Sequence, residues 1–109
     1  MKTRFKTTVW AGSNPDKITG SGYGINIPMK IRNKLFQKQW ESVDIDLDGT
    51  VFNIPITDAF WRHCNEVRSK NIGKWLVKNN AHVWIKGNPT KLLIEHIREN
   101  KFKAFIKKN

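Results

Sequence analysis

Val43-Asp44-Ile45-Asp46-Leu47-Asp48-Gly49-Thr50-Val51-Phe52-Asn53-Ile54-Pro55-Ile56, residues 43–56, is the stretch that decides the fold class. Val43, Ile45 and Leu47 alternate with Asp44, Asp46 and Asp48, the period-two pattern of a strand with one face in a core and the other in water. Asp48-Gly49 is a strong signal for a two-residue hairpin turn, because both central residues of a type I′ turn need positive φ. The segment reads as two antiparallel strands, Thr50 to Ile56 being the second, with carboxylates along one half-exposed face.

The chain on either side supports a mainly β reading. Arg4 to Ala11 puts Phe5, Thr7 and Val9 on one parity and Lys6, Thr8 and Trp10 on the other, as a strand would. Gly12 to Gly22 is rich in turn formers and reads as an exposed loop or arm. Tyr23 to Ile27 is a second strand, ended by Pro28, which suits a first helical turn. A short basic helix follows, with Met29, Ile31, Leu35 and Phe36 on its apolar face and Lys30, Arg32, Lys34 and Lys38 outside it. Beyond the hairpin, Thr57 is an N-cap candidate for a helix from Asp58 to about Arg68, with Phe60, Trp61, Cys64 and Val67 as its apolar members. Ser69 caps a second helix over Lys70 to Lys78, stopped by Asn79-Asn80. His82 to Lys86 reads as a further strand, Gly87-Asn88-Pro89 as a turn, and Lys91 to Ile97 with Lys101 to Ile106 as a closing hairpin around Glu99-Asn100. The expected fold class is α+β, mainly β: a small open pseudobarrel of six or seven short strands with two or three short helices. Residues 1–109 form one domain in this reading.

Composition narrows the function classes. An apolar fraction of 39% with five Trp and six Phe can build a core, so the chain is expected to fold. Twenty Lys and Arg against nine Asp and Glu leave a net charge of +11, which points to a polyanionic partner. The excess is uneven: residues 1–57 hold eight basic and five acidic side chains, residues 58–109 twelve and four. No run approaches the roughly 20 apolar residues of a membrane helix, and Met1-Lys2-Thr3-Arg4-Phe5-Lys6 lacks the apolar run of a secretory signal, so a cytoplasmic protein without membrane partners is expected. Cys64 stands alone and three histidines are scattered, which leaves no disulfide framework or zinc spacing. The Met1 start and the polar end Lys107-Lys108-Asn109 fit a complete small protein.

Few residues invite a catalytic reading. Asp44, Asp46 and Asp48 resemble a hard-cation site, but a calcium loop needs more oxygen ligands, and Asp48-Gly49 is explained by its turn. His63 and Cys64 are neighbours on a predicted helix, so their side chains diverge by about 100° and form no thiolate–imidazolium pair. No nucleophile elbow or phosphate-binding glycine loop is present. No enzyme activity, cofactor, metal or small-molecule ligand is expected. The residues of the right type for nucleic acid lie in the arm and around the predicted helix junction. Ser13, Asn14, Lys17, Thr19, Arg62, Asn65 and Arg68 are the candidates for base contacts. Ser21, Lys30, Arg32, Lys34, Lys70, Lys74 and Lys78 are the candidates for phosphates. Of Trp10, Trp40, Trp61, Trp75 and Trp84, most are expected in the core.

Gly24-Ile25-Asn26-Ile27-Pro28-Met29-Lys30-Ile31-Arg32-Asn33-Lys34-Leu35, followed by Val43 to Gly49, resembles the strand, Pro-led helix and strand unit of AbrB-like transition-state regulators. The length is better matched by a single-chain relative, and the chain is similar to the DNA-binding pseudobarrel of plant auxin-response factors and of restriction-endonuclease effector domains. That resemblance implies two arms gripping the major groove: Gly12 to Gly22 first, and the polar region Arg62 to Asn71 second. The leading expectation is therefore sequence-specific binding of double-stranded DNA, as a free-standing protein or as the recognition module of a restriction enzyme or transcription regulator. The alternatives are RNA or single-stranded DNA binding, with Tyr23 or an exposed Trp stacking on bases, a metal-dependent nuclease using Asp44, Asp46 and Asp48, and a protein-binding role such as an antitoxin.

Overall fold

The computed structural model describes residues 3–107, so the Met1-Lys2 start and the Lys108-Asn109 end lie outside it. Seven strands, β1 (Arg4–Ala11), β2 (Tyr23–Asn26), β3 (Ser42–Leu47), β4 (Thr50–Pro55), β5 (Glu66–Arg68), β6 (Lys91–Arg98) and β7 (Lys101–Ile106), alternate with three helices. The helices are α1 (Met29–Leu35), α2 (Asp58–Arg62) and α3 (Lys70–Lys78). One sheet runs in the order β4-β3-β7-β6-β1-β2-β5, antiparallel except where β3 meets β7. It curls until its edge strands β4 and β5 approach each other, giving the nearly closed α+β barrel that the alternation pattern implies. Among the described residues, no helix is long and apolar enough to cross a membrane.

Alternation sets the inside and outside. Phe5 and Val9 of β1, Ile25 of β2, Val43, Ile45 and Leu47 of β3, and Leu92 and Ile94 of β6 all point into a single core. The hairpins close as their turn residues require: Asp48 and Gly49 have φ of 55° and 93°, and Glu99 has φ of 46° at the β6–β7 turn. Helix α3 lays Ile72, Trp75 and Leu76 on the core, and Ser69 caps it by accepting from the Asn71 amide at 3.0 Å. A second aromatic group joins Phe36, Phe60, Trp61, Phe102 and Trp40.

Three expectations are corrected. The helix expected over Asp58 to Arg68 ends at Arg62, where the amides of His63 and Cys64 both meet the Ala59 carbonyl, and residues 66–68 become β5. The open edge of β2 wins over helical spacing, because Gly24, Ile25 and Asn26 need ladder partners and Arg68, Val67 and Glu66 supply them. His82 to Lys86 forms no strand: Trp84 alone packs on the core, while Val83 and Ile85 stay exposed. On α1, Met29 is exposed and Arg32 is buried. Arg32 lies one turn from Phe36, and its Nη1 donates at 2.9 Å to the Phe60 carbonyl, which α2 is too short to satisfy.

Truncation of Phe60, 1% exposed among these rings, should leave a cavity costing about 3 to 5 kcal/mol. Urea unfolding of Phe60→Ala beside the parent measures it; a loss below about 1 kcal/mol would mean the α2 end of the core is loosely packed.

Candidate nucleic-acid interface

The arm joins β1 to β2 and builds its own frame. The Gly12 amide donates to the Gly22 carbonyl at its base, and within it the Asp16 amide donates to Ser21 and the Gly20 amide to Asp16. The Asp16 carboxylate accepts from the Ile18 and Thr19 amides at 2.8 and 3.2 Å, and the Thr19 hydroxyl accepts from Ser21. These two backbone donors hold the Asp16 carboxyl below its ordinary value of 3.8. Ser13, Asn14, Lys17, Thr19 and Ser21 are all exposed on this frame.

Backbone contact then fixes the arm on α3. Gly20, with φ of 83°, presents its carbonyl to Gly73 so closely that a Cβ on Gly73 would fall inside the van der Waals envelope of that oxygen. A Cβ on Gly20 would in turn strike the Lys70 carbonyl and come within 2.9 Å of the Lys74 amide. Two glycines therefore permit loop and helix to touch backbone to backbone. The contact sets Thr19 and Ser21, the neighbours of Gly20, against the Lys70–Lys74 turn of α3, and Lys70 is near enough to act on the Asp16 carboxylate. Lys74 and Lys78 flank a groove on the other side of α3, against Leu47, Asp48, Thr50 and Phe52 of the β3–β4 hairpin.

The second polar region does not stay together. Strand β5 spans it antiparallel to β2, so Arg62, His63 and Asn65 lie at the α1 end of β2 while Arg68, Lys70 and Asn71 lie at the arm end. At about 3.3 Å per strand residue, the two ends are on the order of 10 Å apart. Arg62 is exposed at the α1 end, as are Lys30 and Lys34, and Lys38 there sits 5.9 Å from the Trp61 ring. Two expected contacts are withdrawn from the surface. Arg32 is committed to the Phe60 carbonyl, and Asn65 donates at 2.6 Å to the Ile27 carbonyl while its own carbonyl accepts from the Ile27 amide. Both side chains answer backbone groups that would otherwise be buried without partners.

Comparison of the chain with protein-family models, curated proteins and solved structures found no match. The interface therefore rests on the chemistry of its residues. Lys17, Lys70, Lys74 and Lys78 form no ion pair among the described residues; the three ion pairs there are Arg4–Glu95, Arg68–Glu66 and Lys101–Asp44.

The residues proposed for other chemistry are engaged elsewhere. The Asn53 amide and the Lys101 ammonium hold Asp44 below the usual carboxylate range, Asp46 accepts from the Gly49 amide at 2.7 Å, and Asp48 accepts from Asn79. No three His, Cys, Asp or Glu side chains among the described residues are grouped to hold a metal. His63 is exposed and half-buried Cys64 follows α2 rather than riding on it. Tyr23 and Trp75 are buried, and Trp10, Trp40, Trp61 and Trp84 are half-buried.

Sequence reasoning missed Gly20, Gly73 and the outward-facing Trp10. Its parity with Lys6 and Thr8 was the available signal for Trp10, whereas the glycine contact leaves none.

Alanine at a helical glycine ordinarily gains about 1 kcal/mol. Gly73→Ala should instead destabilise by about 1 to 3 kcal/mol, since its neighbour is a backbone carbonyl that cannot rotate away. Urea unfolding gives the sign, and a net gain would show that the arm shifts freely. Because the Asp16 value is depressed in the folded protein, its stabilising effect on the arm is present at neutral pH and is lost as pH falls through that value. The Ile18 and Thr19 amide resonances should titrate with a midpoint below 3.8; a midpoint above it would remove Asp16 as the organiser of the arm.

Proposed function

We propose that this protein binds double-stranded DNA through the arm and the β5–α3 junction, with sequence read by arm and junction side chains and the α3 lysines seated on phosphates. The observation that carries the reading is the Gly20–Gly73 contact, which packs the polar arm directly on the start of α3, where Lys70 and Lys74 lie. Phosphates supply affinity and base edges supply specificity, and this face offers both kinds of group: ammonium ions on Lys17, Lys70 and Lys74, and planar hydrogen-bonding groups on Asn14, Arg68 and Asn71.

Dimensions support the same reading. The fold measures 33 × 29 × 26 Å, about one helical turn of duplex, so Lys30, Lys34 and Arg62 at the far end of β2 are within reach of the flanking backbone. In this proposal the resemblance to the pseudobarrels of auxin-response factors and restriction-enzyme effector domains is one of architecture and arm placement, with the second arm confined to residues 68–74.

Filter binding of a randomised duplex pool between about 50 and 200 mM salt tests it. With four phosphates neutralised, affinity should fall about a hundredfold over that range. Lys70→Ala and Lys74→Ala should each weaken binding to all sequences alike and lower the salt slope by about 1. A flat salt response, or tighter binding of single strands than of duplex, would overturn the proposal.

A further inference from the structure

Arg68 differs from every other cation on this face. Its guanidinium carbon stands 4.2 Å from the centroid of the Trp10 ring, and the two residues are not adjacent in the sheet. Trp10 pairs with Gly24, and Gly24 pairs with Arg68, so Arg68 reaches Trp10 across the middle strand. Only a glycine leaves that path open: a Cβ at position 24 would lie 3.3 Å from Arg68 Cγ and 2.5 Å from the Val67 carbonyl oxygen. One Nη2 proton is taken by Glu66, whose side chain is 7% exposed while that of Arg68 is 50% exposed. Trp10 is itself set at the foot of the arm, where its ring packs on Gly12.

Two groups, the Trp10 ring and the Glu66 carboxylate, thus hold a half-exposed guanidinium at the point where the arm meets the approach to α3. Stacking engages the face of the guanidinium and leaves its edge free, and no further hydrogen-bond partner occupies Arg68 among the described residues. The carboxylate behind it matters for the choice of ligand. Glu66 repels a phosphate approaching the same edge, whereas the paired acceptors O6 and N7 of guanine carry no formal charge and match the fork of N–H groups.

We infer that Arg68, held by Trp10 and Glu66 across Gly24, reads a guanine in the major groove and sets the specificity of the interface. The inference rests on the duplex-binding reading above. Trp10 and Glu66 are positioning residues in it, touching Arg68 and not the base.

Selection of bound duplexes near 150 mM salt, with the parent, Arg68→Lys, Arg68→Gln and Trp10→Leu proteins, tests this. The parent motif should contain one guanine whose preference falls about tenfold or more in Arg68→Lys, with the remaining positions and the salt slope unchanged. Trp10→Leu, checked for folding by urea unfolding, should lose the same preference in part. In the parent, 7-deazaguanine at that position should cost as much as the Arg68→Lys change, and in Arg68→Lys it should cost nothing more. In Arg68→Gln, which removes the charge, an unchanged motif accompanied by a salt slope lowered by about 1 would make Arg68 a phosphate contact, overturning the inference while the duplex reading stands. A parent motif without guanine, or one retained in full by Arg68→Lys, would overturn it equally. Absence of duplex binding by the parent would remove both.

Discussion

The pairing of β5 with β2 covers three residues, and most of the geometry of the candidate interface follows from it. Strand β2 is short and sits near one end of the sheet, so without β5 its outer backbone groups would have no ladder. Glu66 to Arg68 fills that edge, and Asn65 continues the match by bonding both backbone groups of Ile27. The segment therefore crosses from the α1 end of the barrel to the arm end. Without that crossing, Arg68 would not reach Trp10, and α3 would not start beside the arm.

The positive field of the molecule owes as much to the placement of its acids as to the number of its lysines. Asp44 is held by Asn53 and Lys101, Asp46 closes a turn, Asp48 meets Asn79, Glu95 pairs with Arg4, Asp16 frames the arm, and Glu66 orients Arg68. Six of the nine acidic side chains are thereby occupied in joining parts of the fold. Lysines on the arm and α3 form no direct ion pair with the described part of the chain. A polyanion would meet them with little competition from internal ion pairs.

Rigidity distinguishes this arm from a merely exposed loop. Its turn-rich composition predicts exposure, yet five internal hydrogen bonds and the glycine contact with α3 hold it in one arrangement. A binding loop that is ordered before it meets its partner avoids the entropy of ordering on contact, which is spent at the folding step instead.

The strands were legible from sequence because they follow a local rule. Side chains alternate with period two whatever the rest of the chain does, and Asp48-Gly49 turns because both residues accept positive φ readily. The Ser69 cap and the Asn79-Asn80 stop are equally local, which is why α3 was read correctly. The exposure of the arm and its polar character were legible for the same reason. Tertiary structure decided the rest, wherever a distant group outweighed local spacing. The bare edge of β2 turned a helical pattern into β5, the unsatisfied carbonyl of Phe60 drew Arg32 inward past Met29, and the absence of two β-carbons at Gly20 and Gly73 brought the arm onto α3. Sequence alone thus determined the hairpin strands and the distribution of charge along the chain, but neither β5 nor the irregular course of residues 82–86. Which charges come near one another depended on backbone groups far apart in the chain that had to find partners, and local periodicity carries no record of those.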